Sequence, residues 1–453
     1  MNEVPLPQTR EQAREAGWHS ASPLPSLPEV SRTIAVPKGA GFWRKVFAFS
    51  GPGFLVAVGY MDPGNWATDI EGGSRFGFTL LSVIFISNFM AILLQALCTR
   101  LGIATGRDLA QACRDHFSKP VSIFLWVICE IAICACDLAE VIGSAIALKL
   151  LFGIPLSWGV CITAVDVLAV MYLQKLGFRF LEALVLVLIL MIGACFAAEI
   201  AFSKPDLHGI LSGFVPQARI LTDSKMLYVA IGILGATVMP HNLYLHSSIV
   251  QTRKYEQTPA GKAEAIWFST LDSTVALSFA LFINAAILIV AGEVFHSRGL
   301  HEITGIEQAH ELLAPLLGIK VAGVIFALAL LASGQNSTLT GTLAGQIVME
   351  GFLNIRLRPW LRRLITRSLA IVPAVIAAVY FGDKAIESLL VFSQVVLGMQ
   401  LPFAVIPLVL FTNDKKKMGQ FASPAWLKIA AWLVTATIVA LNIYLLILTF
   451  SGT

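Results

Sequence analysis

The chain has 453 residues, of which 57% are hydrophobic and only 13% are charged. Soluble domains carry about 25% charged residues, so the composition excludes an ordinary soluble protein and indicates a polytopic membrane protein in a lipid bilayer. The formal net charge of +4 is small, and the Lys and Arg residues lie in short segments, which argues against nucleic acid as a partner.

The first 41 residues differ from the rest of the chain in composition. They are rich in Pro, Ser, Glu and Arg, and they lack the apolar core of 7 to 15 residues that defines a cleaved signal peptide. Residues 1–41 are therefore predicted to form a disordered cytoplasmic tail.

Apolar runs long enough to cross a bilayer, which takes about 20 helical residues, follow this tail. They predict an all-α membrane protein with eleven transmembrane helices, at residues 48–74, 77–100, 121–149, 157–174, 181–202, 225–251, 267–293, 319–349, 361–381, 385–412 and 425–450. About three quarters of the 32 Lys and Arg residues fall on the side of the amino terminus. The positive-inside rule then predicts a cytoplasmic amino terminus, and an odd number of spans puts the carboxyl terminus outside.

The first span is interrupted by the sequence VGYMDPGNWATD, residues 58–69. An aspartate in hydrocarbon costs at least about 2.5 kcal/mol, and Pro63 breaks the helix that precedes it. One explanation is an ordinary helix start, with Asp62 as the N-cap and Pro63 at the first helical position. The other is a functional site, because intramembrane ionisable groups are usually functional.

A matching interruption, GATVMPHNLYLHS, lies in the sixth span, where Met239 precedes Pro240 as Asp62 precedes Pro63. Five spans lie in each unit, so the second unit must cross the membrane in the opposite direction. The pattern predicts an inverted 5+5 repeat with broken helices 1 and 6, which places a binding site near the bilayer midplane. The units are predicted at residues 42–205 and 206–415, followed by an additional helix at 416–453.

The residues at the two breaks are suitable ligands for a cation. Asp62 supplies a negative charge, Asn65 an amide oxygen on the same face, and Met239 a thioether. The first half of each broken helix ends in free carbonyls that carry partial negative charge, here around Gly59, Tyr60, Ala236 and Thr237. Because Ca²⁺ and Mg²⁺ prefer oxygen ligands alone, a site that includes sulfur favours Mn²⁺, Fe²⁺ or a neighbouring transition metal.

A second set of polar residues lies in the third span, CEIAICACDLAEVIG. Its spacings of seven and three put Glu130, Asp137 and Glu140 on one helical face, which is typical of a proton relay. The alternative is a structural network with basic residues of the ninth span, Arg362, Arg363 and Arg367. His241 is a candidate for proton handling, for packing or for direct ligation, and His246 is a weaker one.

The pair of motifs DPGN (Asp62–Asn65) and MPH (Met239–His241) closely resembles the Nramp family of divalent metal transporters. The resemblance extends from about Phe42 to the end of the eleventh span. Relatives that move magnesium or aluminium depart from the pattern around this methionine, so Met239 makes the chain similar to the transition-metal branch. Eleven spans and the absence of a glycosylation sequon in the predicted outer loops resemble bacterial manganese importers.

This resemblance implies a fold of the LeuT type, with Mn²⁺ and Fe²⁺ as substrates and H⁺ as co-substrate. It implies a metal shell of Asp62, Asn65, Met239 and the carbonyl of Ala236, joined in some conformations by the carbonyl of Gly59 or Tyr60. Gln394, in the tenth span, resembles a residue that approaches the metal as the site occludes. The residues that resemble a proton-linked polar network are Asp62, His241, Glu130, Asp137, Glu140, Arg362 and Arg363.

The resulting hypothesis is a secondary transporter that imports Mn²⁺, and also Fe²⁺, with protons by alternating access across the cell membrane. It predicts no enzymatic activity, no permanently bound cofactor and no obligate protein partner. A sodium-coupled amino-acid or amine symporter on the same fold is the alternative, although a sulfur facing Asp62 fits it poorly. A membrane enzyme that uses Asp62 and His241 as acid and base lacks an accompanying nucleophile.

Overall fold

The computed structural model describes residues 10–19, 25–27, 30–163, 172, 176–303, 305–355, 359–376, 380 and 383–451. These residues form helices, apart from turns and two strands of two residues each, β1 (Ile34–Ala35) and β2 (Arg253–Lys254). In chain order the helices are α1 (Arg10–Glu15), α2 (Phe42–Phe49), α3 (Pro52–Ala57), α4 (Pro63–Phe76), α5 (Leu81–Thr105), α6 (Leu109–His116), α7 (Lys119–Phe152), α8 (Leu156–Ile162), α9 (Phe178–Ser203), α10 (Leu207–Gly213), α11 (Arg219–Thr222), α12 (Ser224–Thr237), α13 (Pro240–Ile249), α14 (Pro259–Val294), α15 (Ile306–Leu317), α16 (Lys320–Leu353), α17 (Pro359–Ile376), α18 (Asp383–Asn413), α19 (Lys415–Met418) and α20 (Ala425–Ser451).

The predicted all-α membrane architecture is confirmed. Among the described residues, eight helical segments are long and apolar enough to cross a bilayer, and a shorter apolar segment, Pro52–Met61, precedes them. Most of the predicted fourth span, residues 157–174, falls outside the described part of the chain. The count of eleven spans therefore remains a prediction.

Both predicted helix breaks are present, and local sequence explains each. After α3, the 3₁₀ turn Val58–Met61 leads to Asp62, which has an extended backbone (φ −71°, ψ 167°) and caps α4. Between α12 and α13, Val238 and Met239 leave the helical conformation (φ −105°, ψ 74° and φ −73°, ψ 124°). Pro63 and Pro240 begin the second halves, where a missing N–H costs nothing.

The broken helices lie at the centre of the helical packing. α4 packs against α7, α12, α14 and α18, and α13 packs against α5, α16 and α18. Glycines allow the close approaches: a Cβ on Gly143 of α7 would lie 2.2 Å from the Pro63 ring, and one on Gly235 of α12 would lie 2.4 Å from the carbonyl of Gln394. Small residues at such crossings are common between membrane helices, and here they bring α7 and α18 to the two breaks.

A network of charged side chains surrounds the start of α3. Asp272 of α14 accepts hydrogen bonds from the backbone N–H of Gly51 and Gly53, at 3.3 and 2.7 Å. Arg253 is fully buried, forms an ion pair with Glu182 of α9 and donates to the carbonyl of Ser50. Asp272 had no assigned role in the sequence, and its contacts show that it caps this helix end.

The described parts of the predicted tail, residues 1–41, contact the rest of the protein, and for the other residues of the tail disorder stays a prediction. In its described part, α1 is followed by Trp18, which is 2% exposed and contacts the ring of Phe411. Further along, β1 pairs in parallel with β2, with Ile34 opposite Arg253. The polar composition suggested disorder, but a buried tryptophan and strand pairing give this segment the burial and hydrogen bonds that offset the entropy of ordering.

Candidate metal site at the two helix breaks

Asp62 is a completely buried carboxylate at the first break. Its Oδ1 accepts a hydrogen bond of 2.8 Å from the backbone N–H of Asn65, as an N-cap should. Its Oδ2 is buried and has no hydrogen-bond partner among the described residues. The ordinary capping explanation therefore accounts for one carboxylate oxygen and leaves the other available for a ligand.

The side-chain nitrogen of Asn65 is surrounded by oxygen atoms from both breaks. Nδ2 donates to Asp62 Oδ1 at 2.9 Å, to the carbonyl of Gly59 at 3.2 Å and to the carbonyl of Ala236 at 3.2 Å. The sequence predicted that the amide oxygen would face this point, whereas the nitrogen does so. Three acceptors around one point require a donor or a cation, and rotation of the amide would present the oxygen to a cation.

Met239 brings its sulfur to the same region from the second break. It is fully buried and packs with Ala132 and Cys136 of α7 and Leu397 of α18. A Cβ on Gly59 would lie 3.2 Å from the Met239 sulfur. The thioether thus lies against the residue whose carbonyl accepts from Asn65.

The two more distant candidate ligands differ in position. The carbonyl of Tyr60 accepts a hydrogen bond of 2.8 Å from Asn284 of α14, so in this conformation that amide already occupies it. Gln394 of α18 does reach the break, because its Nε2 would lie 1.8 Å from a Cβ on Gly64. The Oε1 of Gln394 is buried without a hydrogen-bond partner in the described part of the chain.

Sequence reasoning missed several polar side chains around the breaks. Asn284 donates to the carbonyl of Tyr60, and its Nδ2 lies 3.5 Å from Asn65 Oδ1. The hydroxyl of Ser333 on α16 donates to the carbonyl of Met61, next to the capping residue. Asn284 is a single polar residue in an otherwise apolar run, and Ser333 begins the polar run SGQNSTLTGT. Such residues usually mean only interhelical hydrogen bonds.

Two of the three predicted acidic residues of α7 face α16. Glu140 accepts hydrogen bonds from Ser337 at 3.1 Å and Thr338 at 3.3 Å. A Cβ on Gly341 would lie 2.8 Å from Glu140 Oε1 and 3.6 Å from Asp137 Oδ1. The absence of a side chain at Gly341 therefore gives the Glu140 carboxylate room at this helix contact, with Asp137 beside it.

A polar chain connects these carboxylates to the second break. His241 follows Pro240 in α13, and its Nε2 lies 3.9 Å from the thiol sulfur of Cys136. That sulfur lies 3.7 Å from Glu140 Oε1. His241, Cys136 and Glu140 thus form a continuous row of polar contacts from the broken helix to α7.

Glu130, the third acidic residue, accepts a hydrogen bond of 3.0 Å from Trp126 and is half-buried. Arg362 and Arg363 lie on α17, which packs against α7, but their side chains are outside the described residues. The alternative network between the acidic residues of α7 and the arginines of α17 therefore stays a prediction.

His246, the weaker histidine candidate, belongs to a hydrogen-bonded row that reaches the first break. Its Nδ1 lies 3.0 Å from Gln95 Oε1, and Gln95 Nε2 donates to the Tyr60 hydroxyl at 2.9 Å. All three side chains are fully buried. They connect α13 and α5 to the first break by hydrogen bonds alone.

The donor set at the breaks consists of one carboxylate, one amide, two carbonyls and one thioether. Within the described residues, no group of three or more His, Cys, Asp or Glu side chains could hold a metal ion. Clusters of thiolates or imidazoles are typical of permanent zinc and copper sites. The mixed, weakly charged donor set is instead suited to reversible binding.

Known proteins match this chain over nearly its whole length. The family model described as Natural resistance-associated macrophage protein-like, Nramp, matches residues 53–448. A Nostoc protein named divalent metal cation transporter MntH is 64% identical, over 94% of this chain and 97% of the relative. A crystal structure of the Eremococcus coleocola manganese transporter is 43% identical, with a TM-score of 0.86, over 92% of this chain and 90% of that one.

More distant structures support the fold alone. The inward-facing conformation of Mhp1 matches with a TM-score of 0.57 and 14% identity, over 92% of this chain and 90% of that chain. The broken first and sixth helices and this match agree with the predicted LeuT-type fold. From the family match, the identity to its members and the two motifs at the helix breaks, we conclude that the chain belongs to the Nramp family.

Proposed function

We propose that the protein imports divalent transition metal ions, Mn²⁺ first and also Fe²⁺, together with protons by alternating access. The observation that carries this proposal is the Asn65 amide nitrogen, which has three oxygen neighbours from two broken helices. A cation bound there would replace the amide N–H groups as the partner of these oxygens. The names of the similar Nostoc and Eremococcus proteins support the same substrate class.

In this proposal the metal binds to Asp62, Asn65, Met239 and the carbonyl of Ala236, with the carbonyl of Gly59 beside them. The Met239 sulfur disfavours Ca²⁺ and Mg²⁺, which prefer oxygen ligands. Gln394 and the carbonyl of Tyr60 would join the shell only after α18 or the first break moves. Asp62 is completely buried and Asn65 is 1% exposed, so both release and uptake require helix movement.

We further propose that protons leave the site through the row from His241 to Glu140. A cation bound at Asp62 raises the free energy of a proton held nearby, because like charges repel strongly in a low dielectric. The contacts from His241 through Cys136 to Glu140 offer a route away from the break. Asp137, Glu130, Arg362 and Arg363 would continue this route along α7 and α17.

The topology in the membrane forms part of the same proposal. The distribution of Lys and Arg supports a cytoplasmic amino terminus, and eleven spans then give an extracytoplasmic carboxyl terminus. The two repeats would be residues 42–205 and 206–415, with 416–453 added after them. The sodium-coupled symporter is not favoured, because the relatives that match over nearly the whole chain are named divalent metal cation transporters.

Purified protein in liposomes provides the test. Mn²⁺, Mg²⁺ and amino acids are supplied outside, and uptake and internal pH are recorded together for the wild type, Asp62→Ala and Asp223→Ala. We expect the wild type to take up Mn²⁺ and to acidify the liposome interior. Asp62→Ala should lose both. Asp223 is an exposed N-cap of α12, so its substitution controls for loss of a cap. Intact Mn²⁺ uptake by Asp62→Ala would contradict the proposed site.

A further inference from the structure

A groove with one basic residue lies between α5, α14 and the 3₁₀ turn Gly419–Phe421. Its volume is about 440 Å³, and its lining includes Arg100, Ile266, Trp267, Thr270, Leu271 and Phe421. Most of this lining is apolar, and Trp267 is 53% exposed. We call this feature the Arg100 groove. It is separate from the two helix breaks and from the row of acidic residues on α7.

Arg100 has little to compensate its charge. It is half-buried, and its described hydrogen bond is a long one, 3.5 Å from Nη1 to the carbonyl of Phe421. No carboxylate among the described residues forms an ion pair with it, and Glu264, on the adjacent part of α14, pairs with Lys45 instead. A guanidinium in apolar surroundings without an anion is energetically costly, so this residue suits an anionic ligand.

Neighbouring aromatic residues indicate the depth of the groove in the membrane. α2 (FWRKVFAF) exposes three aromatic side chains, Phe42, Trp43 and Phe47, beside the basic residues Arg44 and Lys45. Such amphipathic helices lie in the membrane interface, and the Phe42 ring lies 6.0 Å from the Trp267 ring. Arg100 is five residues from the end of α5, about 7.5 Å along the helix, and is therefore close to the level of lipid headgroups.

We propose that the Arg100 groove binds an anionic phospholipid from the leaflet on the amino-terminal side. The Arg100 guanidinium would donate to the phosphate, which matches its planar donor geometry. An acyl chain would lie along Ile266, Trp267 and Leu271. Basic pockets between membrane helices bind anionic headgroups in this way. A free phosphate ion would satisfy Arg100 but would leave the apolar lining unused.

Native mass spectrometry of the detergent-purified protein can test this proposal with three added probes, phosphatidylglycerol, phosphatidylcholine and inorganic phosphate. We expect the wild type to retain phosphatidylglycerol in preference to the other two. Arg100→Gln should reduce this retention by about tenfold, as expected for loss of a charge-assisted contact. Lys428→Gln removes an exposed charge outside the groove and should leave retention unchanged.

Two further variants separate the headgroup from the acyl chain and keep the test decisive if Arg100→Gln folds poorly. Arg100→Lys retains the charge and should keep part of the preference for phosphatidylglycerol. Thr270→Trp fills the groove and should lower lipid retention while Arg100 is intact. Equal retention of phosphatidylcholine, retention of phosphate as tight as that of lipid, or wild-type retention in both Arg100→Gln and Thr270→Trp would overturn the proposal.

Discussion

Gln394 on α18 reaches the first turn of α4 because residue 64 is a glycine. A Cβ there would lie 1.8 Å from Gln394 Nε2 and 2.3 Å from its Cδ. The same helix crosses α12 at Gly235 and Gly398, where a Cβ on Gly235 would lie 2.9 Å from the Gly398 Cα. Glycines on α4 and α12 therefore hold a polar side chain of α18 next to both breaks.

Gly64→Ala should displace Gln394 from the break with little effect on folding, because the clashing atoms are the end of a flexible side chain. We expect Mn²⁺ uptake into liposomes to fall by about tenfold, which corresponds to about 1.4 kcal/mol. Gly193→Ala is the control, since its Cβ would meet nothing closer than 3.9 Å.

The double variant Gly64→Ala/Gln394→Ala identifies the cause of that loss. If Gly64 serves only to admit Gln394, the double variant should transport at the same rate as Gln394→Ala alone. A further loss in the double variant would mean that the methyl group disturbs the first break itself.

Met239→Ala should reduce discrimination between Mn²⁺ and the harder ions Ca²⁺ and Mg²⁺. Loss of the thioether leaves oxygen ligands, which all three ions accept, so we expect the preference for Mn²⁺ to shrink by about tenfold, or 1.4 kcal/mol. Competition between these ions in the uptake assay measures the ratio. Met226→Ala, on α12, is the control, because it removes another buried Met and should leave the ratio of Mn²⁺ to Ca²⁺ or Mg²⁺ uptake unchanged. If Met239→Ala also leaves this ratio unchanged, the Met239 sulfur has no role in selectivity.

The sequence was sufficient to predict the two breaks, because their signals are local. Asp62 before Pro63 is a cap followed by a proline, and Met239 before Pro240 repeats the proline at the corresponding position. The orientation of the Asn65 amide was not predictable from sequence. It depends on the carbonyl of Ala236, which approaches only after the two broken helices pack together.

The contacts of the amino-terminal segment were beyond prediction for a similar reason. Trp18 lies in a polar stretch with no periodic apolar pattern, and its ring partner, Phe411, is near the other end of the chain. Gln95 and His246 likewise lie in separate spans, far apart in the sequence. Only the folded structure shows that they join each other and the Tyr60 hydroxyl.

Arg253→Gln should destabilise the hydrogen-bonded and ion-paired contacts at the start of α3. Arg253 and Glu182 are both buried, and removal of one partner from a buried ion pair costs about 3–5 kcal/mol. The thermal unfolding midpoint in detergent should fall. A cysteine introduced in α3 should also react faster with a water-soluble thiol reagent.

Lys254→Gln provides the control, because Lys254 is the exposed neighbour of Arg253, and surface changes usually stay within about 0.5 kcal/mol. If both variants unfold at the same temperature and label at the same rate, the buried ion pair does not hold α3 in place.

Asp108 should make the stability of the wild type depend on pH. It caps α6 outside the membrane spans, and burial raises its pKa from 3.8 to about 6. Between these values the folded state holds a proton that the unfolded state releases, so wild-type stability falls as the pH rises through this window. The loss would amount to about 3 kcal/mol, from 1.36 kcal/mol per pKa unit.

Asp108→Asn removes this titration but keeps a residue that can cap the helix. Unfolding midpoints of both proteins from pH 4.5 to 7.5 measure the effect, because other titrating groups cancel in the difference between them. We expect the variant to gain stability relative to the wild type as the pH rises to about 6. A difference that does not change with pH would contradict the raised pKa of Asp108.

Trp18→Ala should release the amino-terminal segment from the rest of the protein. The Trp18 ring lies 4.8 Å from the Arg107 guanidinium and 5.1 Å from the Lys417 amine, and its edge meets Phe411. Each cation–π contact contributes about 0.5–2 kcal/mol, and truncation of a buried Trp costs about 3–5 kcal/mol. Hydrogen exchange at residues 10–19 should therefore become faster, together with exchange in α19. Trp43→Ala removes a tryptophan that is 70% exposed, so it should leave hydrogen exchange in both segments unchanged. If the protection of residues 10–19 survives Trp18→Ala, the pairing of β1 with β2 holds the segment without the Trp18 ring.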